Sequence, residues 1–340
     1  MHTFVCSLAT MLYVWALALV VVAALPSVAF LVGVGVAMRS TVRARTSGGR
    51  RPVKGRLTMH IWNEMDAALM YDEMEGIPTK RIPSIYNREG MRYARGDVVI
   101  DAGANIGMFS LFAAKWTHGD ISLHCFEPMP AMFDLLQKNM QSLQAGELNE
   151  WMGIASAPRV SVRCNQVGVF DKREDVEFLF RPNCPISTTM NTGDLAERQE
   201  RAEVELTRAF QKGAIAWLLP TPLVQWGAKK IVRHMTLAGE QRVKARVIPL
   251  SDYIDEHNLQ HIDMLKIDVE SAEEPALRGI REEHGPRIAQ VMVEAEDFAI
   301  RDRIMAYLTA RGFVCTAAAV RDEILPDCGA ELTIVYAKRK

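Results

Sequence analysis

The sequence has no surplus of positive charge. Its 340 residues include 40 Lys+Arg and 41 Asp+Glu, which leaves a formal net charge of −1. Proteins that bind nucleic acid usually carry a basic excess, because phosphate contacts dominate their affinity. The balanced charge therefore argues against DNA or RNA as a partner.

Closely spaced cysteines and glycosylation sequons are also missing. The six cysteines never form a C-x-x-C pair, and no N-x-[ST] sequence occurs in the chain. A zinc site or a disulfide framework would need close and regular spacing. Both absences favour a reducing compartment, where structural disulfides are rare.

Charge is absent from the amino-terminal stretch from Thr3 to Met38. This stretch exceeds the roughly 20 apolar residues that span a bilayer. A signal peptide would carry a basic leader and a shorter apolar core, whereas only His2 and the amino terminus precede this run. We therefore predict that residues 1–38 form a single-pass transmembrane anchor, with Pro26 dividing it.

Basic residues follow the predicted anchor and none precedes it. They include Arg39, Arg43, Arg45, Arg50, Arg51, Lys54 and Arg56. The positive-inside rule places the rest of the chain on the cytosolic side of the membrane. We assign 39–57 as a basic linker, 58–96 as a helical extension and 97–340 as the main domain.

Apolar runs and helical periodicity alternate through the main domain. Strands are expected at Val98–Asp101, Leu123–Glu127, Val160–Val169, Val176–Phe180 and Met264–Asp268. The helices expected between them include one from about Met108 to Trp116. The alternation predicts an α/β fold, a doubly wound Rossmann-like sheet with ligands at the carboxyl ends of its strands. A segment at about 183–242 interrupts the pattern and is predicted to be an insertion, either a lid or an interfacial membrane segment.

A glycine-poor loop follows the first strand. Asp101 ends the strand, and only Gly103 and Gly107 follow, whereas a dinucleotide site has G-x-G-x-x-G. A carboxylate at this point would repel a pyrophosphate but suits a cationic ligand such as S-adenosylmethionine. Glu127 ends the next strand 24 positions after Gly103, where an acid can accept hydrogen bonds from ribose hydroxyls. A turn without any ligand is the alternative.

Three segments together resemble the FkbM family of methyltransferases. They are Gly96–Gly107, Cys125–Pro128 and Asp263–Glu273, and Val293-Glu294 matches the family's next strand. The resemblance runs from about Gly96 to Lys340 apart from the insertion. It implies a class I methyltransferase fold, S-adenosylmethionine as cofactor, and an oxygen nucleophile on a sugar, lipid or other small metabolite.

The resemblance also implies which residues hold the cofactor. The loop and second-strand positions are Asp101, Gly103, Ala104, Asn105, Gly107, Glu127 and Pro128, and the positions near the adenine are Asn165 and Asp171.

Carboxylates are expected around the mouth of the active site. A hydroxyl acceptor must lose its proton, which a carboxylate within hydrogen-bond reach can remove. The predicted catalytic residues are Asp268, Glu270 and Glu294, with Asp268 or Glu270 favoured as the base and Lys266 orienting the strand end. We predict no metal site, although the same acids could hold Mg²⁺ as a less favoured alternative.

Two departures from the family pattern affect this region. Ser271 stands where the family usually has glycine, and Ala295-Glu296 follow Glu294 where the family tends to carry a histidine. If position 271 needs a positive φ, serine there costs about 1–2 kcal/mol. A non-catalytic membrane scaffold is therefore one alternative function, and a nicotinamide-dependent oxidoreductase is a second, less favoured one. The expected partners are a small-molecule, glycan or lipid acceptor and the membrane.

Overall fold

The structure is a computed structural model that describes residues 49–77, 83–182, 240–319 and 332–339, with three single positions between 182 and 240. These four ranges belong to one compact unit. The predicted anchor at 1–38, most of the linker and nearly all of the insertion lie outside the described residues. Within the described ranges, none of the helices combines the length and the apolar character that a membrane span requires.

The described chain begins with an antiparallel hairpin of β1 (Arg50–Val53) and β2 (Leu57–His60). Helix α1 (Glu64–Glu75) follows, and the Asn63 side chain caps it by accepting from the amide of Asp66. The hairpin corrects the expected linker and helical extension over 50–60. In β2 the buried Leu57 and Met59 flank the exposed Thr58, whereas the exposed arginines of β1 gave the preceding residues the composition of a linker.

Seven strands form a mixed central sheet in the order β11-β12-β10-β9-β3-β4-β5. All neighbours are parallel except at β12, which is antiparallel to both β10 and β11. The α/β methyltransferase-like sheet is therefore as predicted, and the reversed β12 makes it a mixed sheet. The chain leaves β3 towards β4 and returns on its other side at β9, so a topological switch point lies at the carboxyl end of β3. The strands are β3 (Asp97–Ala102), β4 (Asp120–Phe126), β5 (Arg159–Asn165), β9 (Ile262–Ile267), β10 (Ile288–Ala295), β11 (Phe313–Ala319) and β12 (Thr333–Arg339).

Apolar side chains cover both faces of this sheet. Alternate residues of β3 enter two separate hydrophobic clusters, Val99 on one face and Ile100 on the other. Burial on both faces explains the continuous apolar runs in the sequence. The helices are α2 (Met108–Trp116), α3 (Pro130–Gln144), α4 (Asn149–Met152), α5 (Leu250–Glu256), α6 (Glu273–Arg278) and α7 (Phe298–Ala310), with a 3₁₀ turn at Gly285–Arg287.

Three further strands form a second sheet in the order β6-β8-β7. They are β6 (Gly168–Phe170), β7 (Glu174–Phe180) and β8 (Gln241–Pro249). The sequence predicted one strand from Val160 to Val169, but the chain leaves the central sheet after Asn165 and starts β6 at Gly168. Strand β8 was not predicted, because charged residues occupy its exposed positions and mask its short apolar end.

Candidate active site

The loop between β3 and α2 depends on backbone shapes that favour glycine. Gly103 has φ +78°, and a Cβ atom there would overlap the carbonyl oxygen of Asp268 at the end of β9. Gly107 has φ +88° and begins α2, while Asn105 also adopts a positive φ of 51°. The amides of Gly103 and Ala104 both donate to the carbonyl oxygen of Phe126, at 3.0 and 2.9 Å. The loop is thereby fixed to both strands that flank β3.

Asp101 lies fully buried below this loop. Ser110 of α2 donates a 2.7 Å hydrogen bond to one carboxylate oxygen, and the Lys266 ammonium lies 3.3 Å from the other. The carboxylate is therefore directed into the protein, towards a helix and a neighbouring strand. We expected Asp101 to attract a cationic ligand directly. Instead, the Asp101 carboxylate pairs with Lys266 inside the protein, because a buried charge must be paired. These contacts hold the start of the loop in place.

Lys266 is the buried cation of the site, with 4% of its side chain exposed. Its Nζ donates to the carbonyl oxygen of Gly103 at 2.9 Å and lies 3.2 Å from Asp268. Burial alone would lower the pKa of Lys266, but Asp268 and Asp101 outweigh it and raise that pKa above its ordinary value. Lys266 thus remains charged and joins the end of β9 to the cofactor loop.

Glu127 follows β4 and binds backbone amides. One oxygen accepts from the amide of Asn105 in the loop at 2.9 Å, and the other accepts from the amide of Met129, the residue after Pro128, at 2.8 Å. Burial raises the pKa of Glu127 to about 7, although these two amides act to lower it. Each oxygen keeps a second lone pair. Glu127 can therefore hold the loop and still accept a hydroxyl.

Asn165 lies at the end of β5, next to Glu127. The side-chain amide of Asn165 donates to the backbone carbonyl oxygen of Cys125 at 3.1 Å. The backbone carbonyl oxygen of Asn165 accepts from the backbone amide of Glu127, also at 3.1 Å. Asp171 behaves differently: it follows β6 and lies 3.7 Å from Arg278 of α6. The structure therefore brings Asn165 to the ends of the parallel strands but shows Asp171 in an ion pair with a helix.

The predicted catalytic acids gather at the ends of the parallel neighbours β9 and β10. Burial, followed by the charges of Asp268, Glu73 and Glu270, raises the pKa of Glu294 well above its ordinary value. Burial also raises the pKa of Tyr86, with Asp268 and Glu294 as the next causes. Tyr86 was missed from the sequence because it lies in an irregular segment with no motif around it.

The two departures from the family pattern contact each other. Ser271 has φ +74°, so the position does need the backbone shape that favours glycine, and Glu270 before it has φ +52°. The Ser271 hydroxyl donates a 2.9 Å hydrogen bond to Glu296. Serine therefore keeps the strained turn and gains a partner that glycine could not have.

Glu273, in the first turn of α6, is almost fully buried and accepts from the amide of Val269 at 3.3 Å. Burial raises its pKa to about 7. Its part is to hold the turn at the start of α6. Among the residues that the structure describes, no group of three or more His, Cys, Asp or Glu side chains is arranged to hold a metal ion.

The donor set suits a nucleoside with a positively charged group. Three adjacent parallel strands end in a loop with a close backbone approach at Gly103, a carboxylate at Glu127 and an amide at Asn165. The neighbouring strand ends add Asp268 and Glu294. These groups fit S-adenosylmethionine, whose ribose needs hydrogen-bond acceptors and whose cationic groups favour nearby acids.

Comparison with known proteins decides the family. The family model for the methyltransferase FkbM domain matches residues 101–315, more than half of the chain. The chain belongs to the FkbM methyltransferase family. This membership confirms the resemblance noted in the sequence, and it gives no support to a scaffold or an oxidoreductase. The FkbM fold implies S-adenosylmethionine as the methyl donor.

Several FkbM relatives are similar over most of their length. The 31-O-demethyl-FK506 methyltransferase FkbM of Streptomyces tacrolimicus is 32% identical over 286 residues, covering 84% of this chain and 94% of the relative. Methyltransferase sdnD of Sordaria araneosa is 27% identical over 294 residues, covering 84% and 95%. A crystal structure of methyltransferase FkbM from Methylobacillus flagellatus KT aligns with a TM-score of 0.42 and 15% identity, covering 74% of this chain and 46% of that one.

Proposed function

We propose that this FkbM methyltransferase transfers a methyl group from S-adenosylmethionine to a hydroxyl of a sugar, lipid or other small metabolite. The observation that carries the proposal is the place of Glu294 at the end of β10, where the parallel register with β9 sets it beside Asp268. An oxygen acceptor needs a base to take its proton, and a base with a raised pKa does so more readily.

The residues that would hold the cofactor are the 103–107 loop, Glu127 and Asn165. When bound, S-adenosylmethionine supplies an electrophilic methyl group. Gly103 lets the loop lie directly against the backbone of Asp268 at the end of β9, and Glu127 offers its remaining lone pairs to hydroxyl groups. Positioning of this kind is a large part of catalysis by displacement, potentially about 7–11 kcal/mol.

Proton removal is assigned to Glu294. Asp268 or Glu270 was favoured from the sequence, but the Asp268 carboxylate is occupied by an ion pair with Lys266 at 3.2 Å. Burial, followed by the charges of Asp268, Glu73 and Glu270, raises the pKa of Glu294, although Lys266 acts to lower it. A carboxylate oxygen of Glu294 would take the proton of the acceptor hydroxyl. Asp268 and Glu270 would maintain the local negative charge.

The Streptomyces relative is named as a methyltransferase that acts at an oxygen, which supports an oxygen acceptor for this chain as well. The uncharged stretch over residues 3–38 supports attachment to a membrane, with the catalytic domain on the cytosolic side. An anchored enzyme would meet lipid-linked or membrane-side acceptors most readily.

The experiment is transfer of a tritiated methyl group from labelled S-adenosylmethionine by the full-length protein in detergent. Lipid and polar extracts serve as separate acceptor pools. We expect labelled product that keeps its label in mild base, which cleaves methyl esters but not methyl ethers. Label on nitrogen, on a carboxyl group or in no product would contradict an O-methyltransferase.

Glu294→Gln tests the assignment of the base. We expect product formation to fall about 10²- to 10⁴-fold, the usual contribution of a general base, with cofactor affinity nearly unchanged. Glu274→Gln is the matched control, because Glu274 lies on α6 and pairs with Arg303 at 2.6 Å. Equal rates in the two variants would remove Glu294 from the mechanism.

Orientation is tested separately by protease access in sealed vesicles. A cytosolic domain is cleaved in inside-out vesicles and protected in right-side-out ones. The reverse pattern would overturn the proposed orientation without affecting the chemistry.

A further inference from the structure

Two cysteines lie side by side beneath the cofactor loop. Strands β4 and β5 are parallel neighbours, and their register pairs Cys125 directly with Cys164. Paired residues on adjacent strands lie on the same face of the sheet, and strands are spaced about 4.8 Å apart. A disulfide spans Cα atoms about 4.4–6.8 Å apart. Both cysteines are free thiols, and their side chains share a hydrogen bond.

The two thiols differ in reactivity. Cys125 is fully buried, and its hydrogen bond with Cys164, followed by burial, raises its pKa well above the ordinary value. Cys164 is only half-buried on β5, and the hydrogen bond from Cys125 lowers its pKa. The thiolate is the form that reacts with oxidants. Cys164 is therefore the thiol that an oxidant meets first, and Cys125 is placed to resolve the product.

The pair is connected to the cofactor site through Ser110. The Cys125 sulfur lies 3.2 Å from the Ser110 hydroxyl, which in turn donates to Asp101. Both cysteines are also close in sequence to residues of the site. Asn165 directly follows Cys164, and Glu127 comes two positions after Cys125. A bond that draws the Cys125 sulfur towards Cys164 moves it away from Ser110 and disturbs the support of the loop.

We propose that Cys125 and Cys164 form an oxidisable dithiol, and that a disulfide between them weakens cofactor binding. With hydrogen peroxide as oxidant, the Cys164 thiolate attacks one peroxide oxygen. The O–O bond breaks, a proton is taken up, and the products are a sulfenic acid and water. The Cys125 thiol then attacks the sulfenic sulfur, forming the S–S bond and releasing a second water. Two electrons pass from the two thiols to the peroxide.

Peptide mapping tests the modification on the full-length protein. The protein is reduced, freed of reductant, treated with equimolar hydrogen peroxide, alkylated and digested. We expect a linked Cys125–Cys164 peptide in the wild type and in Cys315→Ser, a control that removes a partly buried thiol on β11. The linked peptide should be absent from Cys164→Ser. Both thiols alkylated after peroxide treatment of the wild type would overturn the proposal.

Calorimetric titration with S-adenosylmethionine tests the consequence, which rests on the proposed function. We expect the dissociation constant of the oxidised wild type to rise about 5- to 10-fold, as for the loss of one hydrogen bond, and to recover with dithiothreitol. The same treatment should leave the affinity of Cys164→Ser unchanged. A linked peptide with unaltered affinity would overturn the coupling. A reduced protein that binds no cofactor would contradict the proposed function instead, while the peptide map still decides the dithiol.

Discussion

The proposed cofactor half and the proposed acceptor half of the site are built in different ways. The cofactor half is the 103–107 loop with Glu127 and Asn165, and its polar groups are satisfied largely by the protein's own backbone. The acceptor half, centred on Asp268 and Glu294, depends on charges that act on one another and on a single buried ammonium. The first half is fixed by steric fit. The second is adjustable, which suits the part of an enzyme that differs between substrates.

The largest expected effect is a steric one in the cofactor half. Gly103→Ala should lower the free energy of unfolding by more than about 4 kcal/mol, because its Cβ would overlap the Asp268 carbonyl oxygen in a left-handed conformation. Chemical denaturation measures the loss. The matched control is Gly96→Ala, which also has a positive φ but open space around its Cβ, and should lose only about 1–2 kcal/mol. Similar losses in both variants would contradict the steric argument.

The next effect tests the residue that joins the two halves. Lys266→Met should destabilise the protein by about 3–5 kcal/mol, because it leaves Asp101 and Asp268 without their buried cation. Lys54→Met removes the exposed ion pair with Asp72 and should cost less than about 1 kcal/mol. Denaturation curves at neutral pH compare the two. A small effect of Lys266→Met would mean that the halves are independent.

A pH effect tests the burial of Glu127 in the cofactor half. The pKa of Glu127 is about 7 in the folded protein against an ordinary value of 4.5, so the folded state holds this proton more tightly. As pH rises from 4.5 to 7, the unfolded chain loses the proton first, and stability falls by roughly 3 kcal/mol. In Glu127→Gln this contribution disappears, while those of all other groups remain. Unfolding measured across this pH range should therefore show a steeper decline for the wild type; parallel curves would refute the assignment.

The smallest expected effect tests backbone strain at Ser271 in the acceptor half. Ser271→Ala should lower the free energy of unfolding by about 1–2 kcal/mol, because it loses the hydrogen bond to Glu296. The positive φ at this position stays as it is in the wild type. Ser271→Gly loses the same bond but relieves the backbone, so it should be more stable than the alanine variant by about 1 kcal/mol. Thermal and chemical unfolding of both variants provide the comparison. Equal stabilities would show that the turn is not strained.

The parts that could be predicted from sequence are those governed by short-range periodicity. Helix α2 was predicted at its observed bounds, and the apolar runs of β3, β4 and β9 were found because both their faces are buried. The small β6-β8-β7 sheet was missed, since its pairing joins segments on either side of a long insertion. No local pattern contains that information.

The same distinction applies to the site. Gly103, Gly107 and Glu127 could be predicted because backbone geometry imposes residue types at fixed spacing. The direction of the Asp101 carboxylate could not, since it depends on Lys266 and Ser110 from two other elements. The pairing of Ser271 with Glu296 was likewise invisible, because it joins the ends of two strands 25 residues apart.

One buried amide gives the amino-terminal hairpin a part in the active site. The side chain of Asn139, on α3, accepts from the amide of His60 at 2.6 Å and donates to the carbonyl oxygens of His60 and Ile106, at 2.9 and 2.8 Å. Removing the hairpin would strip this amide of two of these three hydrogen bonds, next to the proposed cofactor loop. A change in the hairpin therefore has a direct route, through Asn139, to the backbone of Ile106 within that loop.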